Sequence, residues 1–434
     1  MKSMFQKAVT VLTAFSMVAG MTAIAGKSID SHAAEVTIDQ ATMEPNLYQL
    51  MQEADSDHNG VLSDAEAARK TDAYLTKETA DISNVLKYFP NITSVTINAG
   101  PNKTVTMNSS KITTVSVYGQ NPVALKGASP KVIYASVLNK QKSIDYTKLE
   151  GYSKVTKFYL DCCSNATKVK VPNASKLTDL KVSNAKLASF DTSKLKSVKE
   201  LTLDGNNLKS LNIKKNKKLT SLACYNNKLT SLNISSNKNL KDIGVGGNKL
   251  KKVDISKNKK MQKVAAFNNK IKTFQSKKSK KIVDLNLSNN KLTSFDNAKY
   301  PNLKTLMIDN NKVKKLTLAK NKKLTSLSLG KTPLKTLTLP NRKFDYVNFG
   351  EHYNFLKKVK GFTNNAYIFL QAKKKTTTYD FAKLAPALKG YTFATYDTTA
   401  KVTAKGKATL AAPKKYSFIT IMAQKGSSNV TIYF

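Results

Sequence analysis

The 434-residue chain has no tryptophan, three cysteines and three histidines, and its 28 acidic residues stand against 72 basic ones. Each shortage excludes something. Three cysteines cannot build a disulfide framework, and a bond between the adjacent Cys162 and Cys163 would be strained. Stability must therefore come from a packed core, for which 41% apolar residues suffice. His32, His58 and His352 lie far apart in the chain, so no Ser-His-Asp or Cys-His arrangement assembles and no enzyme is expected. Arginine is confined to Arg69 and Arg342. The positive charge is carried by lysine, a hydrated point charge without the planar fork that reads phosphates and base edges. That argues against specific nucleic-acid recognition, as do aromatics set apart from the lysines rather than interleaved with them. A formal net charge of +44 suits solubility and loose attraction to polyanions such as teichoic acids or acidic glycans.

Long apolar runs are also scarce. The one that exists, Ala8 to Ala25, follows Lys2 and Lys7 and leads to small-residue cleavage positions at Ala25, Ala33 and Ala34. It predicts a secretory signal peptide over residues 1–34. No later stretch reaches spanning length, so the expected product has no transmembrane span and is secreted, extracellular or wall-associated.

What the chain does have is a beat. Asparagine recurs every 21 residues at Asn206, Asn227, Asn248, Asn269, Asn290 and Asn311. Eight residues before each position an apolar residue keeps time, from Val198 and Leu219 to Leu303. One unit reads LTSLACYNNKLTSLNISSNKN, Leu219 to Asn239, and looser copies raise the count to about a dozen coils. Leu219, Leu222 and Cys224 should point inward from a short strand, with Ala223 and Tyr225 outward. Leu229, Leu232 and Ile234 should close the coil through a second strand-like stretch. The recurrent Asn belongs at the corner, where unpaired backbone groups would cost roughly 1–3 kcal/mol each. Cys163 shares that register and reads as a structural substitute for Asn; Cys224 reads as core. A coil cannot bury its apolar face alone, so coils must stack and their ends need caps.

The unit fits the frame L-x-x-L-x-C-x-x-N-x-L-x-x-L-x-I/V-x-x-N, and it resembles the 21-residue leucine-rich repeats of bacterial extracellular proteins, distantly internalin-like. Ile82 to Val95, ISNVLKYFPNITSV, resembles the lead-in to the first repeat of that group. The resemblance implies a β-rich solenoid with a parallel sheet that binds protein or glycan at a surface, and it carries over no catalytic residues. The lysine content and the irregular early repeats depart from the group's pattern.

Ahead of the repeats, residues 55–66 read DSDHNGVLSDAE and match the calcium-loop pattern D-x-[DN]-x-[DN]-G-x5-E. Asp55, Asp57 and Asn59 would give side-chain oxygens, Val61 its carbonyl, Ser63 a direct or water-borne ligand and Glu66 both carboxylate oxygens. Helices are expected on either side, from NLYQLMQEA and DAEAARK. The other reading is an Asp-rich turn capping a helix; the resemblance favours calcium, because such proteins often carry one loop before the first repeat. No second copy exists, which argues against a dockerin and for a structural ion. The expected organisation is a helical cap over 35–90, a solenoid over 91–355 and a β-rich module over 356–434, faintly immunoglobulin-like, that covers the open end.

Outward positions of the first strands form a face expected to be concave and mildly acidic. Its candidate ligand residues are Tyr159, Asp204, Tyr225, Asp242, Phe267, Asp284, Met307 and Asp309. Lysines crowd the turns instead. The sequence thus points to a recognition or adhesion module whose partner is an extracellular protein or glycan. The alternative is a cationic wall protein that holds an anionic cell-wall polymer through lysine ridges.

Overall fold

The computed structural model describes residues 35–138, 141–161, 165–370, 378–395, 400–410 and 419–433. The expected signal peptide, Cys162 and Cys163 lie outside the described residues.

The chain winds as a parallel β-solenoid of about 14 turns with few helices. Its long sheet opens with Asp72–Glu78, Ser94–Gly100, Thr114–Gly119 and Val132–Val137, and continues through Lys157–Asp161 and Asp179–Val182. From Glu200–Thr202 to Ser326–Ser328 each coil gives a three-residue strand, paired in parallel with the same register, as in Leu201↔Leu222 and Leu222↔Ile243. Alternation sets the two faces: Leu222 and Cys224 are buried while Ala223 and Tyr225 are half-exposed on the outside, as the unit predicts. Leu219, Leu229 and Ile234 join them in one continuous core, with Leu232 partly buried against it. The second stretch of the coil forms strands only in places. Val105, Ile144, Val253 and Leu316 lie in four parallel two-stranded pairs on the other side of the core.

The Asn beat is a hydrogen-bonded ladder. Asn248 Nδ2 donates to the carbonyls of Cys224 at 2.9 Å, Val245 at 3.1 Å and Gly246 at 3.3 Å, and its Oδ1 accepts from Leu229 N at 3.0 Å. The same set recurs at Asn206, Asn227, Asn269, Asn290 and Asn311. At the next place Thr332 takes over, donating Oγ1 to Ile308 O at 2.9 Å. A second buried ladder, at Asn216, Asn237, Asn258 and Asn321, ties the opposite turns together: Asn237 Nδ2 donates to Ile213 O at 3.0 Å and Asn216 O at 2.8 Å.

At the N-terminal end a helix spans Pro45–Ala54 and buries Leu47, Leu50, Met51 and Ala54. Proline at its first turn has no N–H to lose there. A short helix, Asp64–Arg69, starts from a capping box in which Ser63 and Glu66 satisfy each other's backbone. Between them Val36–Thr37 pairs with Val61–Leu62.

The strand pairing passes residue 355 without a break. Phe362–Leu370 adds in parallel to Phe344–Gly350, Ser428–Tyr433 adds in parallel to it, and Thr420–Lys425 and Thr392–Ala394 follow antiparallel. An immunoglobulin-like sandwich needs two antiparallel sheets packed face to face. Here the last strands instead prolong the solenoid's own sheet, and a small three-stranded sheet of Thr378–Asp380, Lys407–Leu410 and Ala400–Val402 lies beside it. Among the described residues, Asp72–Glu78 and Thr392–Ala394 each pair on one side only, so the long sheet is open at both ends.

Candidate functional site

In the loop after Pro45–Ala54 the carboxylates of Asp55, Asp57 and Glu66 lie within 4.8 Å of one another. His58 and Gly60 take positive φ values of 58° and 79°, which turns the chain sharply enough to gather them. Gly60 N donates to Asp55 Oδ2 at 3.0 Å, and Val61 N donates to Asn59 Oδ1 at 2.7 Å. Ser63 Oγ donates to Glu66 Oε2 at 2.7 Å, and Ser56 N and Oγ donate to Glu66 Oε1 at 2.7 and 2.8 Å. Those bonds from Ser63 and Ser56 hold the Glu66 carboxyl at about 2, below its ordinary 4.5. The donor set is all oxygen, which fits a hard divalent cation.

The outer face of the long sheet gathers the second group. Strand register places Asp179, Glu200, Ser221, Asp242, Lys263 and Asp284 in one row across six coils. Two residues on, the row reads Lys181, Thr202, Ala223, Gly244, Ala265, Asn286 and Met307. The small residues Ala223, Gly244 and Ala265 floor a recess of about 290 Å³, walled by Tyr225 and rimmed by Asp242, Lys263 and Asp284. Gly244 gives the Tyr225 ring its place there, because a Cβ would stand 2.3 Å from the ring and push it aside. Gly246 does the same for Phe267, and the two rings lie 5.9 Å apart at 28°. Asp242 Oδ1 is shielded from solvent with no hydrogen-bond partner. Burial pushes the Asp284 carboxyl up, against the opposing pull of Lys263.

Other expected face residues are spent on the fold. Asp309 Oδ1 accepts from Gly330 N at 2.9 Å, Asn348 Nδ2 at 3.1 Å and Ser328 Oγ, and its Oδ2 accepts from Ser288 Oγ at 2.9 Å. It braces three coils and offers little to a ligand. Asp204 accepts from Tyr225 N at 2.6 Å, so it positions the wall of the recess. Tyr159 stacks on Tyr134 at 4.8 Å, and Met307 is half-buried in its row. Cys224 is buried, and that burial pushes its thiol well up, which suits core packing.

An aromatic patch at the far end of the face escaped the sequence reading. Tyr346, Phe369, Tyr433 and Tyr367 stack along neighbouring strands, with centroid separations of 5.3, 4.6 and 6.3 Å. Tyr367 and the nearby Met422 are 43% and 36% exposed, two of the three large apolar side chains that stand open to solvent among the described residues. The alternation of AYIFLQA and NVTIYF signals strands, but only the register of the finished sheet shows that their outward rings meet. A cleft of about 410 Å³ between Ser83–Pro90 and Asn108–Lys111 holds no carboxylate and bears on neither group.

No family model matches the chain, and no curated protein sequence matches it. Solved structures do. The functional domain of InlJ from Listeria monocytogenes, described as including a cysteine ladder, aligns with a TM-score of 0.55 at 15% identity, over 92% of this chain and 98% of that one. YopM from Yersinia enterocolitica aligns with a TM-score of 0.50 at 15% identity, over 76% of this chain and 67% of that one. No helix among the described residues is long and apolar enough to cross a membrane. The chain has the fold of a leucine-rich-repeat solenoid, similar to internalin-like proteins, with ladders of asparagine through its middle coils.

Proposed function

We propose that this protein is a secreted or cell-surface recognition module that holds a protein ligand against the outer face of its long sheet. The observation that carries the reading is the recess floored by Ala223, Gly244 and Ala265. There, within the exact repeats, side chains shrink and leave room beside an aromatic wall and two carboxylates. A protein suits this face better than a glycan. Sugars stack on open ring faces, whereas these rings lean on glycine backbone or stack on one another. Carboxylates on the face of a chain with net charge +44 favour a partner that brings basic groups to that one surface.

The test is a random peptide library displayed and selected against the whole chain. Selected peptides should lose at least about ten-fold in affinity to an Asp242→Lys, Asp284→Lys variant. Peptides that bind the variant as well as the parent would overturn the reading.

Calcium, in the same reading, is structural. Asp55, Asp57 and Glu66 would hold it, with Asn59, the Val61 carbonyl and Ser63 completing the set, and its job is to stiffen the cap beneath the first strand. Those residues bind and orient; no chemistry passes through them.

A further inference from the structure

The lysines of the turns that lead into the long sheet have no role in the face. Lys217, Lys238, Lys259, Lys280 and Lys322 recur at a step of 21 residues, interrupted once at Pro301, and all five are exposed. Among the described residues none of them forms an ion pair. Their positions are fixed from below. Lys217, Lys238, Lys259 and Lys322 each follow a buried ladder asparagine, Asn216, Asn237, Asn258 and Asn321, whose Nδ2 is bonded to the preceding coil at 2.8 Å. Backbone carbonyls in the row are pinned as well: Asn239 Nδ2 donates to Lys217 O at 3.2 Å, and Asn302 Nδ2 donates to Lys280 O at 2.8 Å. Further lysines flank the row within the same turns, as in Lys214–Lys218 and Lys277–Lys281, around Asn216 and Ser279.

We propose that this edge of the solenoid is a binding site for a linear polyanion of the phosphate or phosphodiester class, laid along the axis across successive coils. Three observations select that chemistry. The charges repeat once per coil, at a sheet spacing of about 4.8 Å, so the row spans roughly 24 Å in a straight line, which fits a chain and not a compact ligand. The turns at 214–218, 235–239, 256–260, 277–281 and 320–323 carry no aromatic side chain, so bases have nothing to stack on. They carry no arginine either, so recognition is by charge and not by forked hydrogen bonds. Like charges fixed one coil apart repel, and a polymer with its own regular charges relieves that repulsion along the whole row. The site is independent of the sheet face, and either can fail without the other.

The experiment compares the full chain with two five-fold variants of equal net charge. One carries Lys217, Lys238, Lys259, Lys280 and Lys322→Gln. The other carries Lys228, Lys249, Lys270, Lys291 and Lys312→Gln, the exposed row that follows the first asparagine ladder on the opposite edge. The probe is linear inorganic polyphosphate, titrated over a range of salt concentrations. The first variant should bind at least about ten-fold more weakly at about 100 mM salt, and its slope of log K against log salt should fall by about 3.5; the second should lose less than about three-fold. Equal losses in the two variants, a larger loss in the second, or no saturable binding by the parent would each overturn the proposal. Oligothymidylate with the same number of phosphates is the remaining arm. Binding no tighter than polyphosphate agrees with recognition of charge alone, and clearly tighter binding overturns it in favour of nucleic acid.

Discussion

In the early coils the strands run six or seven residues, at Ser94–Gly100, Thr114–Gly119 and Val132–Val137, whereas from Glu200–Thr202 to Ser326–Ser328 they shrink to three. The difference lies at the corner after the strand. In the early coils backbone pairing runs straight through it: Gln120 N donates to Gly100 O at 2.6 Å and Leu138 N to Gly119 O at 2.8 Å. Between the first two of these coils that route needs glycine, since a Cβ on Gly119 would stand 2.9 Å from Gly100 O. In the middle coils backbone bonds also continue past the strand, Cys224 N to Gly244 O at 2.8 Å and Asn226 N to Gly246 O at 2.9 Å, and a buried asparagine amide is added to serve the groups they leave over. That side chain must return at one fixed position, and the residue before it, Gly205, Asn226, Gly247, Asn268, Asn289 or Asn310, must accept a positive φ. The sequence is metronomic where a buried side chain joins the main chain at the corner and irregular where the main chain holds it alone.

The sharpest way to break this comparison is at the ladder. Asn248→Ala orphans the buried Leu229 N and takes one of two donors from each of the Cys224, Val245 and Gly246 carbonyls, which keep Asn227 Nδ2, Asn269 Nδ2 and Asn226 N, and should cost about 3 kcal/mol, read as a lower urea midpoint at unchanged slope. Asn98→Ala in an early coil, where Asn98 makes only the Thr76 O and Gly100 N bonds, should cost about 1 kcal/mol. Similar costs at the two sites would refute the division of labour.

Next come the glycines. Gly119→Ala meets immovable backbone and should cost about 2 kcal/mol, while Gly244→Ala meets the Tyr225 ring, which can swing away, and should cost about 1 kcal/mol. Thermal unfolding ranks the two, and the reverse order would mean that the ring is clamped.

The cap gives a smaller and separable effect. Raising free calcium to about ten times its dissociation constant should stabilise the cap by about 1.4 kcal/mol. Hydrogen exchange should slow in residues 45–70 and stay unchanged at the ladder; protection spread over all coils would argue against a local ion. Acid should act on the same segment without calcium. Because the Glu66 carboxyl is held at about 2 against 4.5, its contribution is complete above about pH 4.5 and is lost as the pH falls toward 2. The ladder amides do not titrate, so exchange there should not follow that curve.

Smallest of all, Asn289→Gly, which keeps the left-handed backbone at φ 55°, removes an exposed amide pair, Asn289 Nδ2 to Asn268 Oδ1 at 2.6 Å and Asn310 Nδ2 to Asn289 Oδ1 at 2.9 Å, and should cost under about 0.5 kcal/mol. A cost near that of Asn248→Ala would show that exposed and buried ladders carry equal weight.

The repeat, its inward positions and the corner asparagine were legible because each rests on a period, and a period survives in one dimension. The cap helices and the turn at Gly60 were legible from local chemistry. What a sequence cannot carry is contact between coils at unlike positions. Asp309 reads as one more outward carboxylate, and only the finished sheet shows Ser288, Gly330, Ser328 and Asn348 converging on it. The recess was missed because Gly244 looks like a gap in a pattern until Tyr225 leans across it. After Phe344 the period stops, so the parallel addition of Phe362–Leu370 and Ser428–Tyr433 to the same sheet left no trace in spacing.

The asparagine ladder also makes the molecule's reach adjustable. Beyond its own coil every ladder amide speaks only to the coil before it, so removing or duplicating one 21-residue unit leaves each remaining ladder junction with the same kinds of partner. Size is then a heritable dial, turned by whole notches: the chain can grow or shrink without any interior side chain being chosen afresh.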